Sequence, residues 1–325
     1  MIFERASDVV LDDVFLHLPE FVADARVFLK LEGLNPAGSV KLKTALGLIE
    51  AAEGTGVLRP GATLIESSSG NLGIALAVVA AAKGYPLTVV TDPNATRQSV
   101  RMMQSLGTEV VEVTARDAQG GYLQTRIDHI HQRLAERPEL VWLNQYANPA
   151  NARVHRERTA KAVHQGLGVV DALFVGAGTT GTLMGCVEYF TRYSPRTRVI
   201  AVDSVGSVTF GRAAPRFIPG LGTSRRPEIY TDSGDFEKIL ISEVDTIAMC
   251  RLVASRYGLL AGGSTGTVLA AVQRLGPTLP PGSRIAAISP DMGDKYVDTV
   301  YSDTWVAERY TENPDLAALG RITTM

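Results

Sequence analysis

Along the chain, short runs of apolar residues alternate with stretches in which apolar positions recur every three or four residues. The short runs predict strands at 27–31, 63–65, 87–91, 109–113, 173–175, 199–202 and 285–288. The longer spacing predicts helices near 41–53, 71–83, 95–106, 121–136, 152–166, 181–192, 245–257 and 265–275. Gly54, Gly84 and Gly107 each follow one of these helices, where a left-handed cap suits glycine. Nearly all-apolar strands alternating with helices predict an α/β chain whose parallel sheets are covered on both faces. Residues 204–238 break the rhythm, with much Gly, Pro and Arg and little periodicity. Long irregular segments in compact domains are commonly functional or disordered.

Composition narrows the picture. At ~150 residues per domain, 325 residues suggest about two domains. A hydrophobic share of 45% against 20% charged is that of a globular chain. The net charge of -2 offers no basic field, so no nucleic-acid partner is expected. The longest apolar run, 74–82, is far short of the ~20 residues that span a bilayer, so no membrane partner is expected either. The start, MIFERASDVVLDDV, lacks the basic region and cleavage site of a secretory signal, and a cytoplasmic location follows as an expectation. Cys186 and Cys250 lie in apolar helical stretches and read as buried free thiols. Neither CxxC nor HExxH occurs, so no metal site is expected.

Four places carry groups suited to chemistry. In NPAGSVKLKTALGLIEAAEG, residues 35–54, Ser39 reads as an N-cap, which puts Lys41 in the first turn of a helix. A cation there opposes the helix dipole, and the positive helix end with burial would lower the amine's pKa, as a Schiff-base lysine needs. The bland alternative is a solvated lysine. Glu66-Ser67-Ser68-Ser69-Gly70-Asn71 joins a strand to a helix, where hydroxyls and free N–H groups form a carboxylate or phosphate cradle, or only a capped helix. In VGAGTTGTLMG, residues 175–185, Gly178, Thr179, Thr180, Gly181 and Thr182 can wrap a phosphate. The same stretch matches G-x-G-x-x-G, and Asp203 ends the next strand where a ribose-binding acid would lie. An NAD(P) oxidoreductase or a nucleotide-binding module therefore competes at this point. In AGGSTGT, residues 261–267, Ser264 opens a helix and could bond a ligand ring nitrogen. His155 could line the same cleft, though a surface or satisfied histidine is the plainer reading.

Taken in order, NPAGSVK, SSSGNLG, NQYANPAN, GAGTTGT and AGGSTG resemble the fold-type II pyridoxal-phosphate enzymes of the cysteine synthase and cystathionine β-synthase group. The resemblance covers nearly the whole chain. It implies a two-domain, tryptophan synthase β-like α/β fold, with 1–41 and 148–325 as the larger cofactor-binding domain and 42–147 as a smaller mobile one. It implies pyridoxal 5'-phosphate as cofactor, amino-acid substrates and a homodimer. Lys41 then resembles the lysine that holds the cofactor and moves the α-proton, and Asn71 the partner of the ring oxygen. Gly178, Thr179, Thr180, Gly181 and Thr182 resemble the phosphate loop, which displaces the dinucleotide reading. Ser264 resembles the partner of the ring nitrogen, and Ser68, Ser69, Gly70 and Gln145 the α-carboxylate site.

The implied reaction is β-replacement on an O-activated serine. DAQGGYLQTRI, NQYAN, PGLGTSRRPEI and PDMGDKYVDTVYSDTW depart from ordinary cysteine synthases and resemble another branch of the family, a resemblance that implies O-phospho-L-serine as donor and L-glutamate as acceptor. The rival is a cysteine synthase using O-acetylserine or O-phosphoserine with sulfide. Arg126, Arg225 and Arg226, with Tyr146, are candidates for the substrate anions, since arginine binds phosphate and carboxylate bidentately. One departure stands out. Where the family usually reads Lys-Asp-Arg, this chain reads Lys41-Leu42-Lys43.

Overall fold

A computed structural model describes residues 2–118 and 120–310. Among these, the strands are β1 (Phe15–Leu18), β2 (Arg26–Leu31), β3 (Leu64–Ser67), β4 (Leu87–Thr91), β5 (Glu109–Glu112), β6 (Val141–Trp142), β7 (Ala172–Gly176), β8 (Arg198–Ser204), β9 (Glu237–Ile241) and β10 (Arg284–Ser289). The helices are α1 (Lys41–Gly54), α2 (Asn71–Lys83), α3 (Arg97–Ser105), α4 (Leu123–Glu136), α5 (Ala150–Val154), α6 (Lys161–Leu167), α7 (Gly181–Tyr193), α8 (Glu243–Tyr257), α9 (Gly263–Leu275) and α10 (Asp303–Tyr310). Each of the seven expected strands is present. β1, β6, β9 and α10 were not foreseen. The helix expected at 152–166 is a helical run of α5 and α6 joined by a π-helical turn at His155–Ala160.

The strands form two sheets. One has the order β1-β2-β10-β7-β8-β9, and the other β5-β4-β3-β6. Every pairing is parallel except β1 with β2. The central strands are built from Val, Ile, Leu, Phe and Ala and are buried on both faces, as strands between helical layers must be. One core packs α8 and α9 against the larger sheet, and another packs α6 and α7 against its opposite face. The smaller sheet has α1 and α2 on one side and α4 on the other, with Ile130 meeting Ile65 and Val90. Among the described residues no helix is long and apolar enough to cross a membrane.

Two local expectations need correction. Gly84 and Gly107 take the left-handed φ of a C-cap, but Gly54 is the last residue of α1, and the left-handed position falls at Gly56. Ser39 is not the N-cap residue, since Val40 occupies that position with helical torsions. The Ser39 hydroxyl still accepts the Lys41 N–H at 3.4 Å, while its backbone bridges to Asp291.

The strand order locates the ligand crevice. From β7 the chain proceeds to β8 and β9 on one side, then crosses back to place β10 on the other. From β3 it proceeds to β4 and β5, then returns to place β6 on the far side of β3. Each sheet thus has a topological switch point, and ligands of open α/β sheets bind outside the carboxyl ends of the strands there. The loops leaving β7, β10, β3 and β6 carry 177–180, 290–292, 68–70 and 143–149.

Candidate active site

These four loops, with the starts of α1 and α9, converge through a chain of hydrogen bonds. Lys41 is the first residue of α1, and its Nζ donates to Thr179 Oγ1 at 3.2 Å. Asn151, fully buried in α5, donates through Nδ2 to the same hydroxyl at 3.4 Å and to the Gln145 carbonyl at 2.9 Å. Gln145 Nε2 donates in turn to the Ser67 carbonyl at 3.3 Å. Lys41, the 178–182 loop, Gln145 and the serine loop are therefore one connected constellation.

The electrostatics suit a reactive amine. Burial lowers the Lys41 pKa to about 8, and the nearby Glu66 charge opposes the fall. At the start of α7, Thr180 sits in the left-handed region with φ 64°, and its buried hydroxyl has no partner. Gly181 permits a close approach, since a Cβ there would lie 2.1 Å from Asn151 Oδ1. Unpaired helix-start N–H groups together with this hydroxyl make an anion cradle. In the serine loop, Ser68 Oγ accepts the N–H of Gly73 at 2.9 Å and of Gly70 at 3.3 Å, fixing the start of α2. Ser69 and Gly70 stay partly accessible beside it.

At the far end of the constellation lies a cluster absent from the sequence reading. Asn71 Nδ2 donates to Asp291 Oδ2 at 2.8 Å, and Lys295 Nζ donates to Asn71 Oδ1 at 2.7 Å. The Tyr296 hydroxyl donates to Asp291 Oδ2 at 2.6 Å, and Ser264 Oγ lies 3.4 Å from Oδ1. Burial pushes the Asp291 carboxyl above its ordinary range. Asn71 and Ser264 are thus brought together, with Asp291 holding both. The available signal was a Pro-Asp pair directly after β10, at the carboxyl end of a central strand.

The arginines separate. Arg126 is buried in α4 with Nε 3.3 Å from Asp92, and that Nε makes no hydrogen bond. Burial raises the pKa of the Tyr146 hydroxyl, and the charges of Arg126, Arg216 and Arg225 act against that rise. Arg216 was not among the sequence candidates; it is partly buried, and its Nη1 donates to the Leu221 carbonyl at 2.9 Å. Arg225 is partly exposed and pairs with Glu228. Arg226 stacks on Tyr230 at 4.7 Å and is exposed, which matches a surface charge.

Other candidates resolve into structure. His155 is buried, with its ring nitrogens 3.0 Å from Thr44 Oγ1 and 3.0 Å from Thr159 Oγ1. Burial, with the Lys41 and Lys43 charges, holds it well below the ordinary histidine range, so it is a neutral, satisfied side chain. Cys186 and Cys250 are buried, and burial pushes both thiols up to about 12. Lys43 is buried in an ionic cluster, 2.7 Å from Glu32 and 2.6 Å from Asp12. The irregular segment packs on the anion cradle: Gly222 N–H donates to the Ala177 carbonyl at 3.2 Å, and Gly220 lies against Ser264.

Two largely parallel sheets whose switch-point loops converge, with a desolvated helix-start lysine facing a glycine–threonine cradle, define a fold-type II pyridoxal-phosphate enzyme. The family model "Pyridoxal-phosphate dependent enzyme" matches residues 14–291, and the chain belongs to that family. It is accordingly dependent on pyridoxal phosphate. Among its relatives, the chain is 42% identical to an N-(2-amino-2-carboxyethyl)-L-glutamate synthase of Ralstonia nicotianae, over 87% of this chain and 84% of that one. It is 40% identical to a synthase of the same name from Cupriavidus metallidurans, over 93% and 91%. Among solved structures it is similar to O-ureido-L-serine synthase, with a TM-score of 0.85 and 29% identity over 98% of this chain and 100% of that one. It also resembles an O-acetylserine dependent cystathionine beta-synthase from Helicobacter pylori, with a TM-score of 0.86 and 27% identity over 93% and 100%. The family match displaces the dinucleotide alternative. Asp203, its expected ribose ligand, is fully buried and accepts the Ser204 N–H at 2.8 Å.

Proposed function

We propose that the chain joins O-phospho-L-serine to L-glutamate with release of phosphate. The product is N-(2-amino-2-carboxyethyl)-L-glutamate, a precursor of L-2,3-diaminopropionate for siderophore or peptide-antibiotic assembly. One observation carries it: two relatives that bear this synthase's name are 42% and 40% identical to the chain over most of its length. The charges of Arg126, Arg216 and Arg225, which act on Tyr146, support it. A phosphate leaving group brings about two negative charges at neutral pH. Glutamate adds two carboxylates. Acetate and sulfide make no comparable demand for cations.

Bound pyridoxal 5'-phosphate supplies the electron sink that labilises the substrate α-proton and the β-leaving group. In this reading Lys41 holds the cofactor, and Gly178, Thr179, Thr180, Gly181 and Thr182 take its phosphate. The partnerless Thr180 hydroxyl supports that fit. Asn71 takes the ring oxygen and Ser264 the ring nitrogen. Lys41, lowered to about 8 by burial, accepts the α-proton as a neutral amine and returns it as an ammonium. Ser68, Ser69, Gly70 and Gln145 receive the α-carboxylate, while Tyr146, Arg126 and Arg225 face the phosphate or the glutamate carboxylates. Residues 1–41 and 148–325 form the cofactor-binding domain, and 42–147 closes upon it, with residues 1, 119 and 311–325 lying outside the described residues. The working molecule is a cytoplasmic homodimer, which light scattering tests.

The experiment pairs each donor, O-phospho-L-serine or O-acetyl-L-serine, with each acceptor, L-glutamate or sulfide, and identifies products by mass. The proposal expects the phosphoserine–glutamate pair to turn over fastest. Cysteine as the dominant product from either donor would replace it with a cysteine synthase.

A further inference from the structure

Glu66 is a buried carboxyl to which the proposed chemistry assigns no task. It is the third residue of β3 and is fully buried between the serine loop and the loop after β6. Its Oε1 accepts the Ser67 N–H at 2.8 Å and the Trp142 indole Nε1–H at 3.2 Å. The backbone N–H groups of Gln145 and Asn144 also favour its charged form. Asn144 has φ 49°, a left-handed torsion that a non-glycine residue adopts at a cost. Its Oε2 is buried and has no hydrogen-bond partner. Oε1 thus links Ser67, where the serine loop leaves β3, to Trp142, where the 143–149 loop leaves β6. No cation lies within ion-pair distance of it among the described residues.

We propose that Glu66 is a positioning residue: as an anion it clasps Ser67, at the head of the serine loop, to Trp142, just before the Asn144–Gln145 turn, and so sets the geometry that receives the substrate's α-carboxylate. The proposal rests on the reading of Ser68, Ser69, Gly70 and Gln145 as that site. A proton on the unpartnered Oε2 leaves Oε1 a neutral carbonyl, a weaker acceptor than a carboxylate, and the clasp loosens. Burial pushes this carboxyl up to about 7, so both forms are populated near neutrality. The ionisable groups coupled to it or touching its partner are Lys41 from α1, Tyr146 from the loop after β6, and His131 from α4, which lies edge-on to Trp142. Lys41 and Tyr146 both sense the Glu66 charge.

Trp142 gives a readout independent of turnover. The chain has two tryptophans, so Trp305→Phe leaves Trp142 alone. His131→Gln removes the imidazole that lies edge-on to that indole at 5.2 Å. In the doubly substituted holoenzyme, Trp142 fluorescence is expected to show an inflection near neutral pH that Glu66→Gln abolishes. A flat titration, or an inflection that survives Glu66→Gln, overturns the proposal. In kinetics with whichever O-activated serine turns over, the donor KM should rise as pH falls through neutrality. Glu66→Gln should raise the donor KM about tenfold and leave kcat within about threefold, as loss of a charged hydrogen-bond set at a binding site predicts. An unchanged KM with a collapsed kcat overturns it. If Glu66→Gln does not fold, Trp142→Phe serves instead: it removes one donor to the anion, and the KM–pH curve should move to higher pH. A curve that coincides with wild type contradicts the clasp. The fluorescence arm needs no substrate, so its failure is distinct from failure of the donor assignment.

Discussion

Lys43→Met tests how the chain accommodates a second lysine two residues beyond the reactive one. Lys43 lies 2.7 Å from Glu32 and 2.6 Å from Asp12, with its side chain 1% exposed. Methionine keeps most of the volume but strands Glu32, which is 2% exposed. The cation left to Glu32 is Lys30 at 3.6 Å, while Asp12 keeps Arg158 at 3.0 Å. Breaking a buried pair from one side costs about 3–5 kcal/mol, and these residual contacts place the expectation at the lower end, about 3 kcal/mol. Glu32→Gln added to Lys43→Met should recover much of the loss by removing the stranded charge. Urea denaturation of the holoenzyme, followed by circular dichroism, measures each variant and the coupling between them. The pH dependence has a definite sign. Burial raises the Asp12 pKa, but Lys43 and Arg158 outweigh it and hold the carboxyl below its ordinary value. A depressed carboxylate contributes stability above its unfolded pKa and loses it as pH falls through the folded one. Wild type should therefore lose this contribution on strong acidification, and Lys43→Met should lose less. A cost under about 1 kcal/mol, the range of exposed pairs, would refute the reasoning, as would the absence of rescue by Glu32→Gln.

Four further outcomes follow from the site. Lys41→Ala should abolish covalent cofactor attachment and its visible band while circular dichroism stays native. In wild type stripped of cofactor, the rate of reattachment should rise with pH and level off near 8, where the buried amine becomes neutral, and a rate still rising well beyond that point would contradict the lowered pKa. Arg126→Ala should cost about 2–4 kcal/mol in kcat/KM for the half-reaction whose anion it binds. A loss below tenfold in both half-reactions would leave Arg126 only its pairing with Asp92. Residues 204–238 are expected to gain hydrogen-exchange protection when donor binds, and unchanged exchange would argue against their closing over the site.

What was legible in the sequence follows from how each element is buried. β4, β7, β8 and β10 lie inside a sheet and are mostly apolar, so they stood out as strands. β1 and β9 are edge strands, and polar residues such as His17, Glu237 and Lys238 interrupt their pattern. β6 has only two residues, too few for any period. Lys41, the serine loop and the 178–182 loop were readable because each is a contiguous strand–loop–helix junction. Asp291 was not, since its importance comes from Asn71 and Ser264, 220 and 27 positions away. Arg216 escaped for the same reason: nothing near it in sequence shows that its charge acts on Tyr146. Lys43 looked like a lost arginine, and only the fold reveals the buried acids, Glu32 and Asp12, that it neutralises.

The central claim is that this site joins an amine to the β-carbon of phosphoserine. Its most direct test supplies the holoenzyme with O-phospho-L-serine and L-glutamate carrying heavy nitrogen, then follows phosphate release and product mass together. The account predicts one phosphate released per product formed, with the heavy nitrogen retained in N-(2-amino-2-carboxyethyl)-L-glutamate. Phosphate release without a glutamate adduct, or turnover that begins only when sulfide is added, would contradict it.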